Sequence, residues 1–144
     1  MQTHRIIGYL LSSILLISLI SACDRKTNEN GDLDGMWQLT EWRNKATNQV
    51  FKTQQDGIYY CVQLNLIKYQ IGGLGTYYHF SYFTQTPDSL IIGRAFAWPG
   101  DKECPLDELA PYGVPHNGRF HIDVLNADKM MLSGEESILQ FRKY

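Results

Sequence analysis

Hydrophobic and polar positions divide the chain into three stretches of different texture. Residues 6–19 are apolar apart from Gly8 and the serines at 12, 13 and 18, and are preceded by His4 and Arg5. Small residues follow, then Cys23, in the order Ile20-Ser21-Ala22-Cys23. A positive start, an apolar middle and a small-residue end are the grammar of an export leader that is cut away. The apolar run is shorter than the ~20 residues a membrane-spanning helix needs. Residues 24–32 read DRKTNENGD, too polar to bury anything, and are expected to form a flexible tether. From Leu33 onward the texture changes to short alternating segments separated by turn residues.

Those segments predict strands. Met36–Trp42 is the first, and Val50–Thr53 a short second. Ile58–Ile71 reads as one long strand, and Tyr77–Thr84 and Leu90–Ala97 follow it. Arg119–Leu125, Lys129–Leu132 and Ser137–Tyr144 complete the series. Between them lie turn-forming runs: Asn44–Asn48, Gln54–Gly57, the glycines at 72, 73 and 75, Pro87-Asp88-Ser89, Asn126–Asp128 and Ser133–Glu136. Trp98–Gly118 interrupts the rhythm with four prolines, a density that forbids a central strand, so a long loop is expected there, with one helical turn at Asp107–Ala110. No long amphipathic helix is predicted.

Phe120, Ile122 and Val124 share one face against His121 and Asp123, and Leu139, Phe141 and Lys143 oppose Ile138, Gln140 and Arg142. Each strand therefore has one apolar side and one mixed side. The expected fold class is all-β: an antiparallel up-and-down meander of about eight strands, curled around a single core as a barrel or sandwich. Without the leader about 120 residues remain, one ordinary domain that can fold alone. The expected division is 1–22 leader, 23–32 tether and 33–144 barrel.

Composition adds three constraints. Nine Tyr, six Phe and three Trp suit strand packing and also supply material for a binding wall. Thirteen Lys and Arg against fifteen Asp and Glu leave the chain mildly acidic, and loss of Arg5 makes the body slightly more so. No basic stripe exists for nucleic acid, which is excluded as a partner. With Cys23 at the cleavage point, Cys61 and Cys104 remain; in an exported protein they either pair as a disulfide or stay as two separate buried thiols.

Ile20-Ser21-Ala22-Cys23 resembles the lipobox of bacterial lipoproteins, in which the cysteine thiol is acylated with palmitate-type chains and becomes the first residue of the mature protein. Gly35-Met36-Trp37 resembles the G-x-W that opens the first strand of lipocalins. The layout of lipobox, polar tether, L-x-G-x-W start and terminal Phe141-Arg142-Lys143-Tyr144 is similar to small lipocalin-like lipoproteins of Gram-negative bacteria. The resemblance implies a closed lipocalin-like barrel in which Trp37 shuts one end and packs beside Arg142. It also implies lipid anchoring at Cys23 in the cell envelope, most naturally the outer membrane. Asp24 resembles an inner-membrane retention signal in some Gram-negative bacteria, while acidic residues after the cysteine resemble a surface-export signal in others, so the leaflet stays open.

Catalytic chemistry has little to stand on. Neither Ser81 nor Ser89 lies in a G-x-S-x-G elbow, and nothing basic neighbours Cys61 or Cys104 in sequence. His79, His116 and His121 lack any metal-ligand spacing, so no metal site and no cofactor are expected. The protein is read as a non-enzyme and a monomer. Two features suit binding: the aromatic strand, with Tyr78, Phe80 and Tyr82 on one face, and the loop residues Trp98, Tyr112 and His116. The expected function is capture of a small apolar or amphipathic ligand, or a peptide, by a membrane-anchored barrel. The alternative is a non-catalytic envelope lipoprotein that contacts a protein partner through Trp98–His116.

Overall fold

A computed structural model describes residues 29–72 and 78–144. The lipobox, Cys23 and the expected leader lie outside the described residues, as do Tyr77 and the glycines at 73 and 75.

Among the described residues ten strands form one antiparallel sheet: β1 (Gly35–Asn44), β2 (Val50–Lys52), β3 (Ile58–Gln63), β4 (Leu66–Ile71), β5 (Tyr78–Gln85), β6 (Ser89–Trp98), β7 (Lys102–Cys104), β8 (Arg119–Leu125), β9 (Lys129–Ser133) and β10 (Ser137–Lys143). Eight of them close on themselves in the order β1-β3-β4-β5-β6-β8-β9-β10, with β10 returning to pair with β1. Of the two forms the alternation leaves open, barrel and sandwich, the chain takes the all-β closed barrel that the lipocalin-like resemblance implies. The other two strands are appendages. β2 pairs with the C-terminal half of β1, and β7 with the C-terminal half of β6. β6 is thus shared: Ser89–Ile91 bind β8, while Ala95–Ala97 bind β7.

Three local features differ from the expectation. The long strand at 58–71 is a hairpin, broken at Leu64-Asn65, where Leu64 takes a left-handed φ of 56°. The proline-rich segment carries β7 and a 3₁₀ segment at Leu106–Tyr112, longer than the single turn expected. That strand is tolerated because it hangs on β6 outside the closed ring, so the prolines beside it interrupt no central ladder. Finally, the polar lead-in is fastened to the barrel from Asn30, whose amide Nδ2 donates to the Asp34 carboxylate and to the Leu64 carbonyl.

Alternation fills the barrel. Trp37, Leu39, Tyr60, Ile67, Tyr69, Leu90, Met130, Leu132, Leu139 and Phe141 point inward and are completely or almost completely inaccessible. The ring of Tyr60 meets Tyr69 edge-on at 4.8 Å and Phe141 at 4.7 Å, and Tyr69 meets Tyr112 at 5.3 Å. Each such pair adds roughly 0.5–1.5 kcal/mol beyond area burial. Phenols placed in a dry interior need partners, and each has one. Tyr60 Oη donates to the Tyr112 carbonyl at 2.9 Å, and Tyr69 Oη lies 2.9 Å from Ser81 Oγ. Among the described residues no buried side-chain nitrogen or oxygen lacks a partner.

Trp37 is fully buried and its Nε1 donates to the Leu33 carbonyl at 2.8 Å, tying β1 to the 3₁₀ turn at Gly31–Leu33. The cation over its ring is Lys143, 4.1 Å from the centroid, and not Arg142. Register decides this. Phe141 faces the core, so Lys143 shares its side and pairs with Trp37, while Arg142 faces outward and donates to Gln38 Oε1 at 2.8 Å. Lys143 Nζ also donates to the carbonyls of Asp32 and Asp34. Its aliphatic stem crosses Gly35, where an added Cβ would stand 2.9 Å from Cε and the backbone has φ of 120°. The glycine two residues before the tryptophan is required by both facts.

Candidate functional site

The interior is occupied, and a concavity opens on the outer wall instead. Outward-facing positions of β1, β3, β4, β5 and β6 surround a groove of about 900 Å³, walled by Met36, Cys61, Leu66, Tyr78, Phe80 and Trp98, with Lys68 within it and Asp34 and Asp101 among its polar groups. Strand parity places these side chains. In β5 the inward set is Ser81 and Phe83, both buried, which turns Tyr78, Phe80 and Tyr82 outward. A bulge between the Ser81 and Phe83 rungs of the β5–β6 pairing lets Ile92 and Ala95 both face inward, so Phe96 and Trp98 face outward beside them.

Cross-strand stacking preorganises this wall. Tyr78 and Trp98 are directly paired, with centroids 5.6 Å apart and planes 12° from parallel. Phe80 and Phe96 repeat the arrangement two rungs further on, on the same face, at 5.1 Å and 13°. Lys68 Nζ lies 4.4 Å from the centroid of Tyr78, and the Arg94 guanidinium 5.3 Å from that of Phe96. Trp98 remains 40% exposed, Tyr82 41% and Leu64 44%. Solvated faces of antiparallel sheets are normally polar, and this wall departs from that rule with a contiguous row of aromatic side chains.

The six residues assigned to binding from sequence therefore separate. Tyr78, Phe80 and Trp98 line the groove, and Tyr82 adjoins it through an edge contact with Phe96. Tyr112 is inside the barrel, buried against Tyr69. His116 is a surface residue whose Nδ1 lies 2.5 Å from an Asp107 carboxylate oxygen, beside a small crevice of about 220 Å³ that also borders Trp42 and Pro115. The Asp107 contact raises the imidazole pKa. The Trp98–His116 segment is not a free loop. Leu109, Tyr112 and Val114 are buried, and the Leu106–Tyr112 turn packs on β4 and β6.

The expected alternative of a Cys61–Cys104 disulfide does not hold: both are free thiols. Cys61 points outward between the inward-facing Tyr60 and Val62, and Cys104 sits on β7. β4, β5 and β6 lie between β3 and β7, and Cys104 pairs with the inward-facing Ala95 while Cys61 faces outward, so the two thiols are on different strands and opposite faces of the sheet. Burial pushes the Cys61 thiol pKa up.

A second cluster was not legible in sequence. His79, Cys104 and Glu108 bring one donor atom each to within 4.8 Å of one another at the junction of β5, β7 and the 3₁₀ segment. A base does therefore stand beside Cys104, contrary to the reading of its sequence neighbours. His79 Nδ1 lies 2.9 Å from the Tyr112 hydroxyl, which leaves Nε2 toward Glu108 at 3.5 Å. Burial first, and then the Glu108 carboxylate, raise the Cys104 pKa. A thiol held in that way is protonated at neutral pH, the opposite of an activated nucleophile. His116 and His121 lie elsewhere, each against one aspartate.

The family model of the lipocalin-like domain matches residues 17–144. Among solved structures, the fold is similar to a lipocalin-like protein from Bacteroides uniformis, at 22% identity and a TM-score of 0.57, over 79% of this chain and 100% of that one. An uncharacterized protein from Bacteroides eggerthii is similar at 24% identity and a TM-score of 0.56, over 77% of this chain and 98% of that one. A protein from Burkholderia xenovorans is similar at 14% identity and a TM-score of 0.52, over 77% and 82%. The search of curated proteins gives no match.

Proposed function

The chain belongs to the family of lipocalin-like domains, and on that premise we propose that it is an envelope lipoprotein that captures a small amphipathic molecule on the outside of its barrel. One observation carries the reading: the lumen is packed with its own aromatic side chains, while the outer wall presents a preformed aromatic groove of about 900 Å³. Small-molecule sites are concave, mostly apolar, of roughly 300–1,000 Å³, and contain a few polar groups that fix orientation. The rings of Tyr78, Phe80 and Trp98 supply the apolar wall, and Lys68 supplies one cation. An apolar body bearing a carboxylate or phosphate matches that division, the anion meeting Lys68 and the body lying against the rings.

The anchor fits the same reading. Acylation at Cys23 would place the attachment point seven residues before Asn30, where the chain is fastened to the barrel. Seven residues span at most about 25 Å. Asp34, four residues later, already borders the groove. Tethering at that end keeps the groove close to a bilayer, where amphipathic molecules concentrate.

Equilibrium titration of the full chain in detergent-free lipid nanodiscs with a fluorescent fatty-acid analogue tests this. Saturable one-to-one binding is expected, weakened at least tenfold by Phe80→Ala or Lys68→Gln and unchanged by Tyr69→Phe inside the barrel. Binding indifferent to the groove substitutions, or no saturable binding, refutes it.

A further inference from the structure

We propose that His79, Cys104 and Glu108 form a three-ligand site for a borderline-soft divalent cation of the zinc class, with a fourth position open to solvent. A thiolate, an imidazole and a carboxylate are the donor types zinc takes, and three protein ligands plus one free position is the pattern of its open sites; on binding, the cation displaces the Cys104 thiol proton to solvent. In a tetrahedral site with metal–ligand bonds of ~2.0–2.3 Å, neighbouring ligand atoms stand about 3.4 Å apart. The three donor atoms already lie within 4.8 Å of one another, and His79 Nε2 and Glu108 Oε2 are 3.5 Å apart. Small side-chain rotations complete the geometry.

The fold has made room for this convergence. His79 on β5 and Cys104 on β7 reach toward each other across β6, and the intervening inward-facing residues of β6 are Ala95 and Ala97. Larger side chains there would separate the two donors. Cys104 and Glu108 lie four residues apart on the same insertion, one ending β7 and the other in the first turn of the 3₁₀ segment. Tyr112 Oη lies 2.9 Å from His79 Nδ1; in the tautomer in which Nδ1 donates to that oxygen, Nε2 presents its lone pair toward the other donors. Holding the second ring nitrogen is how proteins orient a metal-binding histidine. Glu108 is half exposed, which leaves one side of the cluster to water and to an incoming ion. Elsewhere on the described surface His116 and His121 each meet a single carboxylate, too few donors for a closed shell.

Bound metal would staple the β7–3₁₀ insertion to β5. The test uses the tag-free full chain, solubilised in detergent and kept reduced. Titration with cobalt(II) should give one equivalent bound, a thiolate-to-metal charge-transfer band and the intense visible bands of four-coordinate cobalt. Zinc(II), competed against a chromophoric chelator, should displace it. His79→Gln and Cys104→Ser are expected to weaken zinc binding by about 100-fold or more, and Tyr112→Phe by about 10-fold through loss of the ring's orientation. His116→Gln should leave affinity and stoichiometry unchanged. Zinc should also slow alkylation of Cys104 in the unsubstituted chain, with Cys61 as the internal reference, a reading that needs no variant to fold. No charge-transfer band, no zinc protection of Cys104, or binding that survives loss of both His79 and Cys104 overturns the proposal.

Discussion

Placing the binding surface outside the barrel depends on the lumen being dry, and the Tyr69–Ser81 pair tests that directly. Both residues are completely inaccessible, and their hydroxyls are 2.9 Å apart. Tyr69→Phe removes one partner and strands the Ser81 hydroxyl; Ser81→Ala strands the phenol. A buried polar group left without its partner costs about 1–3 kcal/mol. In Tyr69→Phe/Ser81→Ala both groups are gone, and only the small volume lost at Ser81 remains to be accounted for. Each single substitution is therefore expected to cost about 1–3 kcal/mol, and the double substitution less than their sum by a coupling of about 1–2 kcal/mol. Urea unfolding of the four chains measures this, and each kcal/mol should appear as roughly 4 °C in Tm. A wet lumen gives a different answer, because water would satisfy either stranded hydroxyl. Coupling below about 0.5 kcal/mol, within ordinary additivity, would refute the dry interior and with it the reason for locating the ligand on the outer wall.

The same burial sets an alkaline limit. Burial raises the phenol pKa of Tyr60 and of Tyr69, so the folded chain keeps protons that the unfolded chain gives up. Their contribution to stability is complete below the ordinary tyrosine pKa of about 10 and declines as pH rises above it. Spectrophotometric titration should show these two of the nine tyrosines ionising only as near-ultraviolet circular dichroism collapses; full ionisation with the dichroism intact refutes it. Gly113, which ends the 3₁₀ segment with φ of 90°, is expected not to tolerate a side chain. An alanine Cβ there would lie 2.8 Å from Leu139 Cδ1, and strain plus overlap should cost roughly 1–3 kcal/mol in urea unfolding, whereas a neutral result would show that the insertion is not seated on the core.

Much of this fold is written in the alternation, because a closed sheet with one core imposes period two on every strand. What eluded the sequence was local or tertiary. The turn at Leu64-Asn65 has no glycine, and Leu64 continues the apolar parity of Tyr60 and Val62, so the hairpin looked like one strand. β7 lies among prolines, yet its pairing on β6 is peripheral. For Arg142 the information was present: Phe141 is a core residue, so period two puts Lys143, not Arg142, on the face of Trp37. In β5 both faces carry aromatics, and composition could not say which turns inward. The structure turns inward the face with Ser81 and Phe83, and Ser81 there meets the Tyr69 hydroxyl. The His79–Cys104–Glu108 cluster spans β5, β6 and the insertion after it, and no spacing rule along the chain records such a meeting.

The fate of the aromatics ties these observations together. A small barrel has limited internal volume, and its interior is filled either by its own side chains or by a ligand. Here Tyr60, Tyr69, Tyr112, Phe141 and Trp37 take the inside, and the insertion after β6 contributes one of them, Tyr112, together with buried Leu109. Tyr78, Phe80, Phe96 and Trp98 are left for the outside, where stacking in cross-strand pairs restrains their rings and steadies the β5–β6 ladder. Stacking alone does not require the groove that Met36, Cys61 and Leu66 complete on neighbouring strands. The proposal that recognition lies on the exterior rests on the conjunction of a filled lumen, a concave outer wall and the cations of Lys68 and Arg94 over its rings. The insertion that closes the inside also carries Cys104 and Glu108 to His79, so sealing the lumen and assembling the donor cluster are two consequences of one excursion of the chain.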